Sequence, residues 1–201
     1  MTAFEGAQRL PARQIELYQK RGFLDVEECA RLVTMIDSRR RPSTLADFNG
    51  DDGFRTSETC DLDVDDPWVI TLTARIADFL GLDAAHCEPL QGQRYAVGQE
   101  FKPHSDTFDP GGLGYLEHCT ISGQRTWTAM IYLNEPEAGG GTRFKKLDKT
   151  FQPETGKLLA WNNLLPTGWP NALTLHQGLP VRAGTKYIIT AWFREKVWAW
   201  A

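Results

Sequence analysis

The chain has 201 residues, 41% hydrophobic and 24% charged, the composition of a soluble globular protein with one domain and room for a sizeable core. With 22 Lys and Arg against 26 Asp and Glu, the net charge of -4 gives no push toward nucleic acid or an anionic membrane, and no stretch approaches a membrane span. Cys29, Cys60, Cys87 and Cys119 form no CxxC pair and the N-terminal MTAFEGAQRLPARQ has no apolar signal core, so the thiols are expected to be reduced and the protein cytoplasmic.

Gln14 to Tyr18 reads as a short strand. Asp25 is a helix N-cap and Glu28, three residues on, completes a capping box. Val26, Cys29, Leu32, Val33 and Ile36 follow at helical spacing, which predicts a helix to about Ser38. The polar segment from Arg39 to Asp63 carries Asn49-Gly50 and Asp52-Gly53 and reads as a mobile loop with one hairpin. Asp65 or Asp66 before Pro67 starts a second helix, with Ile70, Ala74, Ala77 and Leu80 as its apolar stripe and Gly81 as its stop.

From Leu90 onward the pattern changes to short β-branched and aromatic runs: GQRYAV, RTWTAMIYL, TRFKK, KLLAW, LTLH and KYIITAWF. Turn signals such as Ala138-Gly139-Gly140-Gly141 and Arg182-Ala183-Gly184 separate them, and six or more such strands predict a sandwich or barrel. The expected fold is mainly β (α+β), a double-stranded β-helix (jelly-roll) core with N-terminal flanking helices. One domain spans 1–201, with 1–89 as helical support and lid and 90–195 as the core carrying the site.

The segment FKPHSDTF places His104 and Asp106 two positions apart at a strand end, where alternate residues project from one side. Such a pair often arises by chance. A mononuclear Fe(II) oxygenase needs a second imidazole beside it, leaving the opposite face of the metal open. His176, at the end of the expected strand LTLH, is the candidate; alone it would read as a hydrogen-bonded core histidine. His86 and His118 lack strand context and read as solvent or loop residues. In TKYIITAWF, alternation puts Lys186, Ile188, Thr190 and Trp192 on one face. If that face points inward, the Lys186 ammonium needs an anion, and a dicarboxylate chelating iron at its other end would supply one. Tyr132, which shares a face with Thr126, Thr128 and Met130, is either a second group on that carboxylate or a core tyrosine, and Tyr95 is open in the same way.

The runs LQGQRYAVGQEFKPHSD, GQRTWTAMIYLNEPEAGGGTRF and PETGKLLAWNNLLPTGWPNALTLHQGLPVRAGTKYIITAWFRE resemble the prolyl 4-hydroxylases, a family of Fe(II)/2-oxoglutarate dioxygenases. FRTSETCDL resembles the loop with which that family closes over a peptide. The resemblance implies His104, Asp106 and His176 as iron ligands and Lys186, assisted by Tyr132, as the partner of the 2-oxoglutarate C5 carboxylate. Tyr95 would line the cosubstrate pocket, with Thr190 and Trp192 beside the metal. Arg55, Ser57 and Arg125 match positions near the substrate groove, although both arginines could equally be solvated surface residues. The implied cofactors are Fe(II), 2-oxoglutarate and O2, with ascorbate as reductant. The implied reaction is hydroxylation of a prolyl residue in a peptide or protein, with succinate and CO2 as coproducts. The segment after Asp106 departs from the family in its residues, and it and Arg39 to Asp63 are expected to act as lids. Other readings are an oxygenase acting on a free amino acid or small molecule, and a cupin-like isomerase, hydrolase or metal-binding module.

Overall fold

Helix boundaries follow from the side chains that cap them. In the computed structural model, which describes residues 2–44, 51 and 53–199, strands β1 (Gln8–Arg9) and β2 (Leu17–Lys20) precede helix α1 (Val26–Arg39). Asp25 accepts from the Glu28 N–H at 2.8 Å and Glu28 accepts from the Asp25 N–H at 3.1 Å, the reciprocal box expected. Strands β3 (Arg41–Pro42) and β4 (Glu58–Asp61) lead to α2 (Pro67–Leu80). Asp66 caps α2, Pro67 opens it, and Gly81 closes it at φ 70°. The chain continues through β5 (Gln91–Tyr95), β6 (Phe101–His104), α3 (Leu113–Cys119), β7 (Arg125–Tyr132), β8 (Ala138–Gly139), β9 (Thr142–Phe144) and β10 (Lys149–Phe151). It ends with β11 (Leu158–Asn162), β12 (His176–Gly178), β13 (Val181–Ala183) and β14 (Lys186–Arg194).

One sheet has the order β1-β2-β11-β7-β14-β5-β4-β3, a second has the order β10-β9-β12-β6, and β13 pairs with β8. All pairings between these strands are antiparallel. The result is the jelly-roll class expected, with β7 and β14 at the centre of the large sheet. Residues before 90 also contribute strands β1 to β4 to that sheet.

Strand alternation divides the interior in two. Ile189, Ala191 and Phe193 of β14 face Leu32 and Ile36 of α1 and Leu72 and Ile76 of α2 in the core behind the sheet. Ile188 faces the other way, into a core between the two sheets with Met130, Tyr132, Phe144 and Trp161. Lys186, Thr190 and Trp192 share that inner side and line a cavity.

Several local expectations shift. The first strand of the run near Tyr18 begins at Leu17, not Gln14. Val26 is 67% exposed, so the buried stripe of α1 is Cys29, Leu32 and Ile36. Ile70 is 54% exposed, and α2 buries Val69, Leu72, Ile76, Phe79 and Leu80, a rotation that hides larger side chains than the alanine-bearing stripe would. LTLH is not a strand: Asn171 accepts from the Leu173 N–H and winds Ala172–Thr174 into a 3-10 turn, so His176 begins a strand instead of ending one. Within the segment read as a loop, β4 is a sheet strand between β3 and β5, while Asn49, Gly50 and Asp52 lie outside the described residues. The four cysteines are buried and unpaired. Among the described residues no helix is long and apolar enough to cross a membrane.

Gly92 of β5 sets how closely α1 approaches the sheet, since a Cβ there would fall 2.3 Å from Cγ1 of Ile36. Overpacking costs about 1–3 kcal/mol, so Gly92→Val should lower Tm by roughly 2–12 °C, measured by calorimetry. Gly92→Ala should fall between it and the wild type.

Candidate active site

Pairing of β6 with β12 sets His176 directly opposite His104, with ring centroids 4.3 Å apart. Asp106 lies two residues past the end of β6. One donor atom from each of the three residues falls within 4.8 Å of the others. Each imidazole is oriented by its own chain. Nδ1 of His104 lies 2.7 Å from the Lys102 carbonyl and Nδ1 of His176 lies 2.9 Å from the Thr174 carbonyl. A carbonyl can only accept, so Nδ1 carries the proton and the Nε2 lone pair is free for a metal. Burial, followed by the like charge of His176, lowers the His104 pKa to about 3, which keeps its ring neutral. Phe101 stacks on His104 at 3.5 Å, and Trp161 meets His176 edge-on at 4.9 Å.

Asp106 is held from behind. Asn163 Nδ2 donates to Thr128 Oγ1 at 2.9 Å, and Thr128 donates to Asp106 Oδ2 at 2.6 Å. Burial pushes the Asp106 carboxyl up, but His176, His104 and the Thr128 hydroxyl together hold it below the usual carboxylate range. Two imidazoles and one carboxylate match the donor set of a non-haem Fe(II) centre.

The inner cavity beside this triad is narrow and ends at Lys186. Lys186 is 1% exposed, and no carboxylate among the described residues lies within ion-pair distance. Its Nζ instead faces the rings of Tyr95 and Tyr132, at 4.9 and 5.5 Å from their centroids. A buried cation in this setting fits the far carboxylate of a dicarboxylate whose other end reaches the triad.

The two tyrosines part company here. Tyr95 lines the cavity and donates to Gln93 Oε1 at 2.9 Å, and Gln93 in turn donates to Thr190. Tyr132 stands behind the wall, its hydroxyl directed at Thr142 Oγ1 at 2.7 Å and the Phe151 carbonyl at 3.2 Å. Thr142, just after the Gly139-Gly140-Gly141 run, lines the cavity in front of Tyr132. Sequence reasoning passed over its role, although the glycine run marked the place.

The triad also borders a wider outer cleft of about 630 Å³, with His104, Asp106, Phe101 and Trp192 shared between the two spaces. Arg55 and Arg125 both line this cleft and neither is a solvated surface residue. Ser57 is 3% exposed and sits behind Arg55, whose Nε donates to it at 3.3 Å. Arg125 makes a two-pronged pair with Glu88, at 2.6 and 2.7 Å. The segment after Asp106, expected as a loop, contains α3. His118 near its end lines the cleft and stacks on Phe108 at 4.7 Å, so it is neither a bare solvent group nor a loop residue. Gln124 pins that segment by exchanging two hydrogen bonds with the Phe108 backbone. His86 lies outside both spaces, with Nδ1 3.0 Å from the Arg194 carbonyl.

Residues 90–194 match the model of the 2OG-Fe(II) oxygenase superfamily. The chain belongs to that superfamily. The oxygenase is 32% identical over 133 residues to prolyl 4-hydroxylase subunit alpha-1 of Gallus gallus, covering 65% of this chain and 25% of that one. It is 37% identical over 136 residues to the human subunit alpha-3, covering 66% and 24%. The chain therefore spans about a quarter of the length of these curated relatives. The 2OG complex of the viral collagen prolyl hydroxylase from Paramecium Bursaria Chlorella virus-1 superposes with a TM-score of 0.69 at 27% identity, covering 89% of this chain and 95% of that one. A Pseudomonas putida prolyl-4-hydroxylase, at 19% identity and TM-score 0.59, shares the fold, with 90% and 92% covered. As a member of the superfamily, the oxygenase uses Fe(II) and 2-oxoglutarate.

Removing the hydroxyl that orients Asp106 tests the triad. Thr128→Val should weaken Fe(II) binding by about 10- to 100-fold in anaerobic dye competition, with an unchanged circular dichroism spectrum, and Thr128→Ser should restore it.

Proposed function

We propose that the protein is a prolyl 4-hydroxylase-like dioxygenase that hydroxylates a prolyl residue in a peptide or protein and releases succinate and CO2. The observation that carries this reading is the buried, carboxylate-free Lys186 across a narrow cavity from His104, Asp106 and His176. A cupin-like isomerase or hydrolase has no use for that cation. The names of the curated relatives and of the viral neighbour supply the prolyl substrate. A single oxygenase domain over 1–201 and a cytoplasmic location, with four unpaired thiols, belong to the same reading.

In it, His104, Asp106 and His176 hold the iron, which when bound supplies O2 activation coupled to decarboxylation of 2-oxoglutarate, with ascorbate as the external reductant. The protein's task is then to bind, orient and keep dry. Lys186 and the Thr142 hydroxyl receive the C5 carboxylate, and Tyr132 orients Thr142 from behind. Tyr95, Thr190 and Trp192 wall the cavity, with Tyr95 and Thr190 joined through Gln93. Arg55 and Arg125 flank the mouth where substrate enters, and Ser57 positions Arg55.

Anaerobic addition of Fe(II) and 2-oxoglutarate should raise a weak visible charge-transfer band; its absence from folded protein would overturn the oxygenase reading. Succinate release across a panel of proline-containing peptides, with mass spectrometry of the products, tests the substrate. Lys186→Ala removes a charge-assisted contact of about 1.5–3 kcal/mol, so the 2-oxoglutarate requirement should rise about 10- to 150-fold. An unchanged requirement would sink that assignment.

Lys186 also makes cosubstrate binding depend on pH. Burial lowers its pKa from the ordinary 10.5 to about 7. Between those values the unfolded chain holds more protons than the fold, so stability rises with pH across that window. A carboxylate bound there needs the ammonium. Binding of 2-oxoglutarate should therefore take up close to one proton at about pH 8.5 and weaken as pH climbs above about 7. Isothermal titration in buffers of different ionisation enthalpy reads the proton directly, and an uptake near zero would remove Lys186 from the site.

A further inference from the structure

The outer cleft holds more buried positive charge than it needs to hold itself together. Glu88 accepts from Arg125 Nε at 2.6 Å and Nη2 at 2.7 Å, and from Arg194 Nη1 at 3.2 Å, so one carboxylate serves two guanidiniums. Arg194 is 3% exposed; its Nη2 donates to the His118 carbonyl, and its Nε has no partner among the described residues. The third guanidinium, Arg55, donates among the described residues only to neutral acceptors: Ser57, the Thr44 carbonyl, Thr59 and Gln91. Among the described residues no carboxylate lies within ion-pair distance of Arg55. Burial lowers its pKa and the like charge of Arg125 adds to this, against the opposing pull of Tyr95 and of the more distant Asp106 and Asp61.

These charges sit at the metal site. Arg55 lies over the Phe101 ring, 5.0 Å from its centroid, and Phe101 stacks on His104. Arg125 lies 4.1 Å over Trp192, with Nη1 3.4 Å from the Asp106 carbonyl. Among the described residues, the other acidic side chains in the cleft are committed or peripheral. Asp106 belongs to the triad, Asp61 pairs with Arg41, and Asp109 is exposed at the rim. With Fe(II), Asp106, the 2-oxoglutarate dianion and Lys186 summing to zero, Arg55, Arg125, Arg194 and Glu88 leave an excess of two positive charges among the described residues inside the cleft. In a partly desolvated cleft such an excess favours an anionic occupant.

We propose that the substrate carries a carboxylate next to the position that is oxidised, held between Arg55 and the Arg125–Glu88–Arg194 cluster. It rests on reading the outer cleft as the substrate site. A chain terminus, a free amino acid and an acidic side chain beside the target residue share this chemistry, and the experiment separates them. Neutral peptide carbonyls could accept from the same guanidiniums but would leave the excess charge in place.

Two matched pairs serve as probes: N-acetylproline against N-acetylprolinamide, and the capped peptide Gly-Pro-Glu-Gly against Gly-Pro-Gln-Gly. Affinity for the anaerobic Fe(II)/2-oxoglutarate protein is read by isothermal titration, and hydroxylation is followed separately by mass spectrometry. At least one acid should bind about tenfold or more tightly than its neutral partner, with the difference shrinking as salt is raised. The preferred pair identifies the source of the carboxylate. Arg55→Gln should reduce the acid-to-neutral ratio toward one, and Arg55→Lys should retain most of it; these ratios compare two ligands on one protein, so a general loss of affinity cancels. Equal affinity within both pairs, or no binding of either acid, overturns the proposal. If an acid binds with the expected preference but no proline is hydroxylated, the carboxylate site stands and the prolyl reading falls.

Discussion

The site depends on one antiparallel register, in which His104 at the end of β6 faces His176 at the start of β12. Side chains in a strand alternate between faces, so a slip of β12 by one residue would turn the His176 imidazole away and set Gln177 opposite His104. The register is reinforced from both sides. Next along β12, Gln177 and Gly178 pair with Arg143 and Thr142 of β9, and each imidazole is tied to a carbonyl two residues before it. The two imidazoles thus take their orientation from backbone that is already hydrogen-bonded, which would leave little reorganisation for a metal to demand.

Alternation on β7 and β14 then separates support from chemistry. Ala129 and Ile131 of β7, with Ile189, Ala191 and Phe193 of β14, pack toward the two helices. Thr128, Met130, Lys186, Ile188, Thr190 and Trp192 line the cavity. The apolar face anchors strands whose opposite face carries polar groups that would be costly to bury unpaired. Gly92 lets α1 lie close on this sheet, so the helix braces β5, which carries Gln93 and Tyr95.

Charge is distributed with equal economy. The triad's carboxyl is held below the usual carboxylate range by its two histidines and Thr128, the inner cavity carries Lys186, and the mouth sets Arg125 and Arg194 on Glu88 with Arg55 apart from them on neutral acceptors. Aromatic rings separate these groups: Phe101 lies between Arg55 and His104, and Phe108 lies 5.1 Å from Arg125 and 5.3 Å from Arg194. A guanidinium over an aromatic face retains part of the stabilisation it would otherwise draw from water.

Local chemistry was legible in the sequence. The Asp25–Glu28 box, the Asp66-Pro67 start, the Gly81 stop and the two faces of β14 depend on residues within a few positions of one another, and they appear as expected. The pairing of His104 and Asp106 with a distant histidine, and the inward cation at Lys186, followed from spacing and face together with the family resemblance. Tertiary structure decided what depends on contacts between distant segments. It turned α2 so that Val69 and Ile76 are buried and Ile70 is not, and it placed Tyr132 behind Thr142 while Tyr95 reached the cavity. It also set Glu88 between Arg125 and Arg194, and Asn163 behind Thr128. Periodicity reports the face on which a residue lies; only cross-strand register and sheet-to-sheet packing determine what it meets there.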